Sequence, residues 1–155
     1  MISVMDVARY FAGHYREEHG NAIDQMKLLK LVYLAQREAL IRSDRPLFAE
    51  KIFAYKYGPV VKEVLRFWRS GGADSCATPL VQDREDREAM DHVCETYSRK
   101  DAWSLSRLTH AESSWIKARE RKGSGGGDRL IPVEDIKIDA LCIRKRRQMK
   151  RLKSA

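Results

Sequence analysis

The feature that most limits how this chain can fold is the segment 24–41. Eleven of its eighteen residues are apolar, and they lie nearly all the way round a helical wheel rather than along one stripe. A helix that is apolar on every side must be covered on every side, so it belongs at the centre of a fold. Asp24 is placed to cap it, and the pattern predicts a helix over residues 25–42. Its leucines read as core. Lys27, Lys30 and Arg37 share one side of the wheel and read as the polar edge of an otherwise buried element. The two lysines either snorkel from a buried helix, pair with acidic groups of a partner, or hold His110 or Glu112 in place.

Other helices are expected around this one. Over residues 4–15, Val4, Val7, Ala8, Phe11 and Tyr15 form one apolar stripe, and Ser3 with Asp6 makes a capping-box-like start. Residues 52–57 (IFAYKY) are β-branched and aromatic, which favours extended structure. Gly58-Pro59 breaks it, and Pro59 suits the first position of a third helix to residue 69, with Val61, Val64, Leu65 and Trp68 as its stripe. Residues 71–83 read as a loop. Residues 84–100 read as a charged helix with Met90, Val93, Cys94 and Tyr97 on its apolar face. Two short helices (101–108 and 113–122), a glycine-rich flexible loop (123–127) and a last helix follow. The last helix starts over residues 131–135, with Pro132 near its first turn and Val133, Ile136, Ala140 and Ile143 as its stripe. The expected fold is mainly α: a compact multi-helix single domain with a short extended segment or small hairpin around residues 50–57, and a basic C-terminal tail.

The charge is distributed unevenly. Thirty Lys and Arg against 22 Asp and Glu give +8, yet residues 144–155 alone hold seven of those cations and no acid. Residues 1–143 are therefore near neutral and form the expected domain, and 144–155 form a tail that is a solvated helix extension or disordered. This argues against a uniformly cationic nucleic-acid coat protein. The cations at 144–153 suit nucleic-acid phosphates, an acidic protein partner, or solubility alone, and no aromatic residue interleaves them as single-strand binding would prefer. The longest apolar runs are three or four residues, too short for a transmembrane helix, and the start lacks the pattern of a signal peptide. Cys76, Cys94 and Cys142 are odd in number with no CxxC spacing, which suits free thiols in a reducing compartment. The expectation is a soluble cytoplasmic protein that does not engage membranes.

Few residues suggest chemistry. His110, with Thr109, Glu112 and Trp115, is the most enzyme-like cluster, and a His beside a Glu suits a general base. No Ser or Cys stands in a nucleophile elbow, so the sequence favours a hydrogen-bonded structural histidine over a small hydrolase or transferase. Glu112 is placed to act as an acid at the start of the following helix. His92 and Cys94 form the only close His/Cys pair, and i, i+2 positions on a helix do not face each other. The glycine run lacks the Lys-Ser/Thr of a phosphate loop. No catalytic residue, metal or cofactor is expected.

Three segments stand out in order: 24–35 (DQMKLLKLVYLA), 47–64 (LFAEKIFAYKYGPVVKEV) and 105–119 (LSRLTHAESSWIKAR). They resemble the Panacea domain, a family that includes SocA-like antitoxins and many phage-associated proteins. The family pattern is KLxKLxY, then LFxExIxAxxYGPV, then LTHxExxW, and the resemblance extends over about residues 4–143. Leu29, Tyr55 and Ser114 stand where Gln, Trp and Pro are common. The resemblance implies the antitoxin of a toxin–antitoxin pair, neutralising a toxin encoded by an adjacent gene through direct protein contact. It also implies an adaptor role that delivers the toxin to the ClpXP protease. The partner-binding candidates are Lys27, Lys30, Tyr33, Tyr55, Lys56, Tyr57, Gly58, Pro59, His110 and Trp115. Two readings of the GPV element stand side by side. The turn orients the third helix, or Tyr55, Lys56 and Tyr57 present a recognition surface beside it. The competing function is a nucleic-acid-binding (auto)regulator acting through residues 144–153.

Overall fold

A computed structural model describes residues 1–121 and 129–154. Among them the elements are α1 (Val4–His19), α2 (Gln25–Ser43), β1 (Ile52–Tyr55), β2 (Gly58–Val60), α3 (Lys62–Arg69), α4 (Arg84–Tyr97), α5 (Ala102–His110), α6 (Ser113–Glu120), β3 (Leu130–Ile131) and α7 (Val133–Ser154). The fold is mainly α, in one domain, with a small antiparallel sheet of order β2-β1-β3. The glycine-rich loop expected at 123–127 lies outside the described residues.

The all-round apolar helix is central. Helices α1, α3, α4, α5 and α7 all pack against α2. Its residues 27–41 are buried without a break, including Lys27, Lys30, Gln36, Arg37 and Glu38. The expected polar edge is therefore corrected. Lys27, Lys30 and Arg37 do not face water, because other elements cover that side as well, and each finds a partner inside. The Lys27 ammonium donates to the Ser98 carbonyl at 3.0 Å. Gln36 donates to the Phe48 carbonyl (2.9 Å) and accepts from the Leu47 N–H (2.7 Å), which fixes the turn after α2.

Helix ends follow caps rather than apolar stripes. Helix α1 continues past its last apolar residue, Tyr15, to His19. There Gly20 takes the left-handed conformation at φ 76° and its N–H closes on the Arg16 carbonyl. Asp24 caps α2 as expected, its carboxylate accepting from the Lys27 N–H at 2.8 Å. Glu112 occupies the N-cap position of α6, but its side chain turns away from it. Asp139, reaching over from α7, accepts the Ser114 N–H at 2.9 Å instead.

The expected helix start at Pro59 is also corrected. Gly58, Pro59 and Val60 form strand β2, in register with Tyr55, Ala54 and Phe53, and the helix begins at Lys62. Proline has no N–H to give a ladder, which confines it to an edge. Strand β2 is an edge strand of this sheet. Its fixed φ suits either setting, and pairing with β1 decides between them. Likewise Pro132 precedes α7 rather than lying within it, because Leu130–Ile131 pairs with β1 first.

Helix α7 runs unbroken through the basic segment. Two of its cations are structural. Arg144 donates to the carbonyls of Ile41 and Leu40, both at 2.7 Å, and so satisfies the C-terminal end of α2. Arg147 forms a two-pronged pair with Glu38 at 2.9 Å on each oxygen. Arg42 adds a third bond to Glu38 at 2.9 Å, and the His92 ring nitrogen lies 3.8 Å away. The Glu38 side chain is 1% exposed. The first turn of the basic segment is thus tied to the core through Arg144 and Arg147, which the excess of cations there does not suggest.

Burial pushes the Glu38 carboxyl up, but the bonds and charge of Arg147, with His92 and Arg42, outweigh it and hold it below its ordinary 4.5. A carboxyl lowered in the folded state stabilises the fold above its ordinary value and loses that contribution as pH falls through the lower one. Stability measured by urea denaturation is expected to fall on acidification below pH 4.5, and the fall should flatten in Glu38→Gln. Arg147→Met leaves a buried carboxylate short of its main partner and is expected to cost about 3 kcal/mol at neutral pH. Unchanged stability in Arg147→Met would show that the pair does not anchor α7.

Candidate partner-binding site

The three sequence motifs meet at one place, the β1–β2 hairpin. Tyr55 and Gly58 pair across a two-residue loop, Lys56-Tyr57. Tight hairpins of this length usually need residues at positive φ in the loop itself. Here neither loop residue has positive φ, and the glycine after them, Gly58, supplies it at φ 120°. Space also demands glycine there. A Cβ would sit 2.6 Å from Lys30 Cε and 2.8 Å from Thr109 Oγ1.

Four side chains from three helices hold the backbone of this hairpin. Lys30 of α2 donates to the Pro59 carbonyl at 3.2 Å. Ser106 of α5 donates to the Tyr57 carbonyl at 2.7 Å. Trp115 and Arg119 of α6 donate to the carbonyls of Tyr55 (3.0 Å) and Ala54 (3.2 Å). A two-stranded hairpin is marginal by itself, and these bonds fix its shape from behind.

The histidine belongs to the same support. The His110 ring stacks on Trp115 at 4.3 Å between centroids, with 15° between planes. Its Nε2 lies 3.5 Å from Ser106 Oγ. The single hydroxyl proton of Ser106 goes to the Tyr57 carbonyl and is not directed at the ring nitrogen. A nucleophile and base would need the opposite arrangement. Burial, then the charge of Lys30, holds the His110 imidazole below its ordinary value. Glu112 is not its partner: the carboxylate pairs with Arg37, which also donates to the Tyr97 hydroxyl at 3.0 Å. Burial opposes the Arg37 charge, but Glu112 and Tyr97 outweigh it and keep the guanidinium protonated. Tyr33 lies beneath, fully buried, its hydroxyl 3.4 Å from Ser114 Oγ. Burial and then the Glu112 charge raise the Tyr33 phenol far out of the physiological range. Burial pushes the Cys94 thiol up to about 12, so it stays protonated at neutral pH.

The ten candidate residues divide by exposure. Lys27, Lys30, Tyr33, Gly58 and Pro59 are buried and act on the hairpin or the core. Tyr55, His110 and Trp115 are half-buried, and only Lys56 and Tyr57 are exposed. One exposed neighbour is absent from the motifs. Trp103 of α5 is 60% exposed and meets Tyr57, 46% exposed, edge to face at 5.7 Å between ring centroids. The Lys56 ammonium lies 5.3 Å from the Tyr57 ring centre. The result is an aromatic and basic patch at the hairpin tip. Trp103 stands off the buried stripe of α5 (Leu105, Ser106, Thr109), and an aromatic so placed is a signal available from the sequence.

Residues 28–116 match the family model described as antitoxin SocA-like, Panacea domain. The chain belongs to this antitoxin-like family, whose membership supports a non-enzymatic role and a toxin as partner. No curated protein and no solved structure matches it. Among the described residues, no helix is long and apolar enough to cross a membrane.

Two outcomes check the hairpin's construction. Gly58→Ala meets both a disfavoured φ and two close atoms, and is expected to cost roughly 2–4 kcal/mol in urea denaturation. Burial lowers the Lys30 ammonium from 10.5 to about 8. Between those values the unfolded chain alone holds the proton, so stability should rise with pH across that window. The rise should be missing in Lys30→Met, and an identical pH profile in the two proteins would show that Lys30 is not charged in a buried setting.

Proposed function

We propose that this protein is the antitoxin of a toxin–antitoxin pair and neutralises its toxin by direct contact at the hairpin tip. The observation that carries this reading is the division of labour around the hairpin. Buried motif side chains fix its backbone, while Lys56, Tyr57 and Trp103 are left facing outward. A rigid display of aromatic residues with a cation beside them suits a protein interface, where Tyr and Trp give large contact area at small entropic cost. Family membership supports the same reading. Delivery of the bound toxin to ClpXP is a further step that the family resemblance brings, and it rests on the same contact.

The test is coexpression with the product of the adjacent reading frame. That product should arrest growth alone and be harmless with this protein present. A neighbour that is harmless alone, or toxic in both cases, removes the reading. Tyr57→Ala and Trp103→Ala are each expected to weaken the complex about tenfold or more in calorimetric titration, with melting temperature little changed. Lys30→Glu is no test of the interface, because Lys30 is buried beneath the hairpin. An adaptor role adds that the toxin's half-life shortens in the presence of ClpXP, and an unchanged half-life would leave sequestration alone.

A further inference from the structure

Helix α7 carries two apolar faces. One faces the domain, with Ile136 and Ala140 buried and Ile143 packed against the core. The other faces outward and holds Ile138, Leu141, Met149 and Leu152, which are 50%, 44%, 55% and 72% exposed. At about 100° per residue these four fall within an arc of about 80°, on the side opposite Ile136 and Ala140, and span about 21 Å. Lys145 lies on the same line at its centre. The fold covers the inner stripe, and none of the described residues covers the outer one. Single exposed apolar residues need no explanation, but a helical row of four does.

The charges along this face say what fits it. Arg144 and Arg147 are committed to α2 and Glu38. Lys145, Lys150, Arg151 and Lys153 are exposed and pair with no described carboxylate. The acids of α7 all lie near its start. Glu134 is exposed at the first turn, Asp135 pairs with Arg121, and Asp139 caps α6. A second copy of the helix would bring mostly like charges together, in either direction of pairing. Nucleic acid would satisfy the cations but leave the apolar row against phosphate or water. An anionic membrane suits basic amphipathic helices, but these usually carry Trp or Phe on the apolar face, and this row has neither. An acidic protein surface with its own apolar stripe satisfies both properties together.

We propose that the outer face of α7 is a second docking surface for the toxin. It would receive a helix or groove of the toxin that has an apolar stripe flanked by Asp and Glu. This rests on the antitoxin reading and adds to it a site away from the hairpin motifs, together with the chemistry of the surface it takes. In such a complex the row supplies contact area, and the cations supply orientation and speed of encounter.

The experiment uses the full chain and the purified toxin from the adjacent reading frame, with affinity measured by titration at low and high salt. Met149→Glu with Leu152→Glu is expected to weaken binding about tenfold or more. Both positions are exposed, so circular dichroism should match wild type. Lys145→Glu with Lys153→Glu leaves the row intact and is expected to slow association and flatten its salt dependence. Met149→Leu keeps the contact and should bind as wild type. Wild-type affinity in both double variants, while Tyr57→Ala loses it, overturns this proposal and leaves the antitoxin reading standing. A wild-type chain that does not bind the toxin overturns both. The proposal is also overturned if the Met149→Glu, Leu152→Glu pair abolishes self-association, duplex DNA binding or binding to phosphatidylserine vesicles while toxin affinity is unchanged.

Discussion

Covering a helix on every side creates a problem for each polar residue on it, and the structure is organised by how α2 solves it. A buried charge without a partner costs several kcal/mol, so each one must meet a complementary group from elsewhere. Lys27 reaches the end of α4, Lys30 the hairpin, Gln36 the turn after α2, Arg37 the start of α6 and Glu38 the basic end of α7. Five side chains of one helix thus tie down five other parts of the chain. Apolar packing supplies the driving force for collapse, but it is not directional. The polar ties give each surrounding element its register on α2.

This arrangement explains why most of the family-motif residues are buried or half-buried. Lys30, Tyr33, Gly58 and Pro59 are buried, and Trp115 and His110 are half-buried, because they set the shape of a hairpin from behind. What they hold outward is a short loop, Lys56-Tyr57, whose exposed side chains take no part in the bonds that fix its backbone. A scaffold of that kind separates the residues that fix geometry from the residues that recognise a partner.

Much of the fold is legible in the sequence, and what is not has identifiable causes. The apolar pattern of 24–41 places α2 at the centre, and the stripes of α1, α4 and α7 mark the faces that are buried. Caps at Ser3 and Asp24 are readable because they act within a few residues. The β2 strand is not, because Pro59 is equally suited to starting a helix, and only pairing with β1 decides. The Arg37–Glu112 and Glu38–Arg147 pairs lie 75 and 109 residues apart, beyond any local pattern. The motifs identify the hairpin, yet they do not separate the buried lysine from the exposed one. Trp103 lies outside them altogether, so its partnership with Tyr57 appears only when α5 is packed beside the hairpin.

The distance between Glu38 and Arg147 bears on how the protein is made. A chain grows from its N-terminus, and domains assemble as their parts emerge. The central helix is complete early, but the groups that satisfy its Glu38 carboxylate and its last carbonyls come more than a hundred residues later. Until then α2 has no settled interior to enter. A chain that stops short of Arg147 leaves the Glu38 carboxylate without its two-pronged partner. Removing residues 147–155 would take that pair away, so the end of helix α7 belongs to the folding unit rather than to a separable tail.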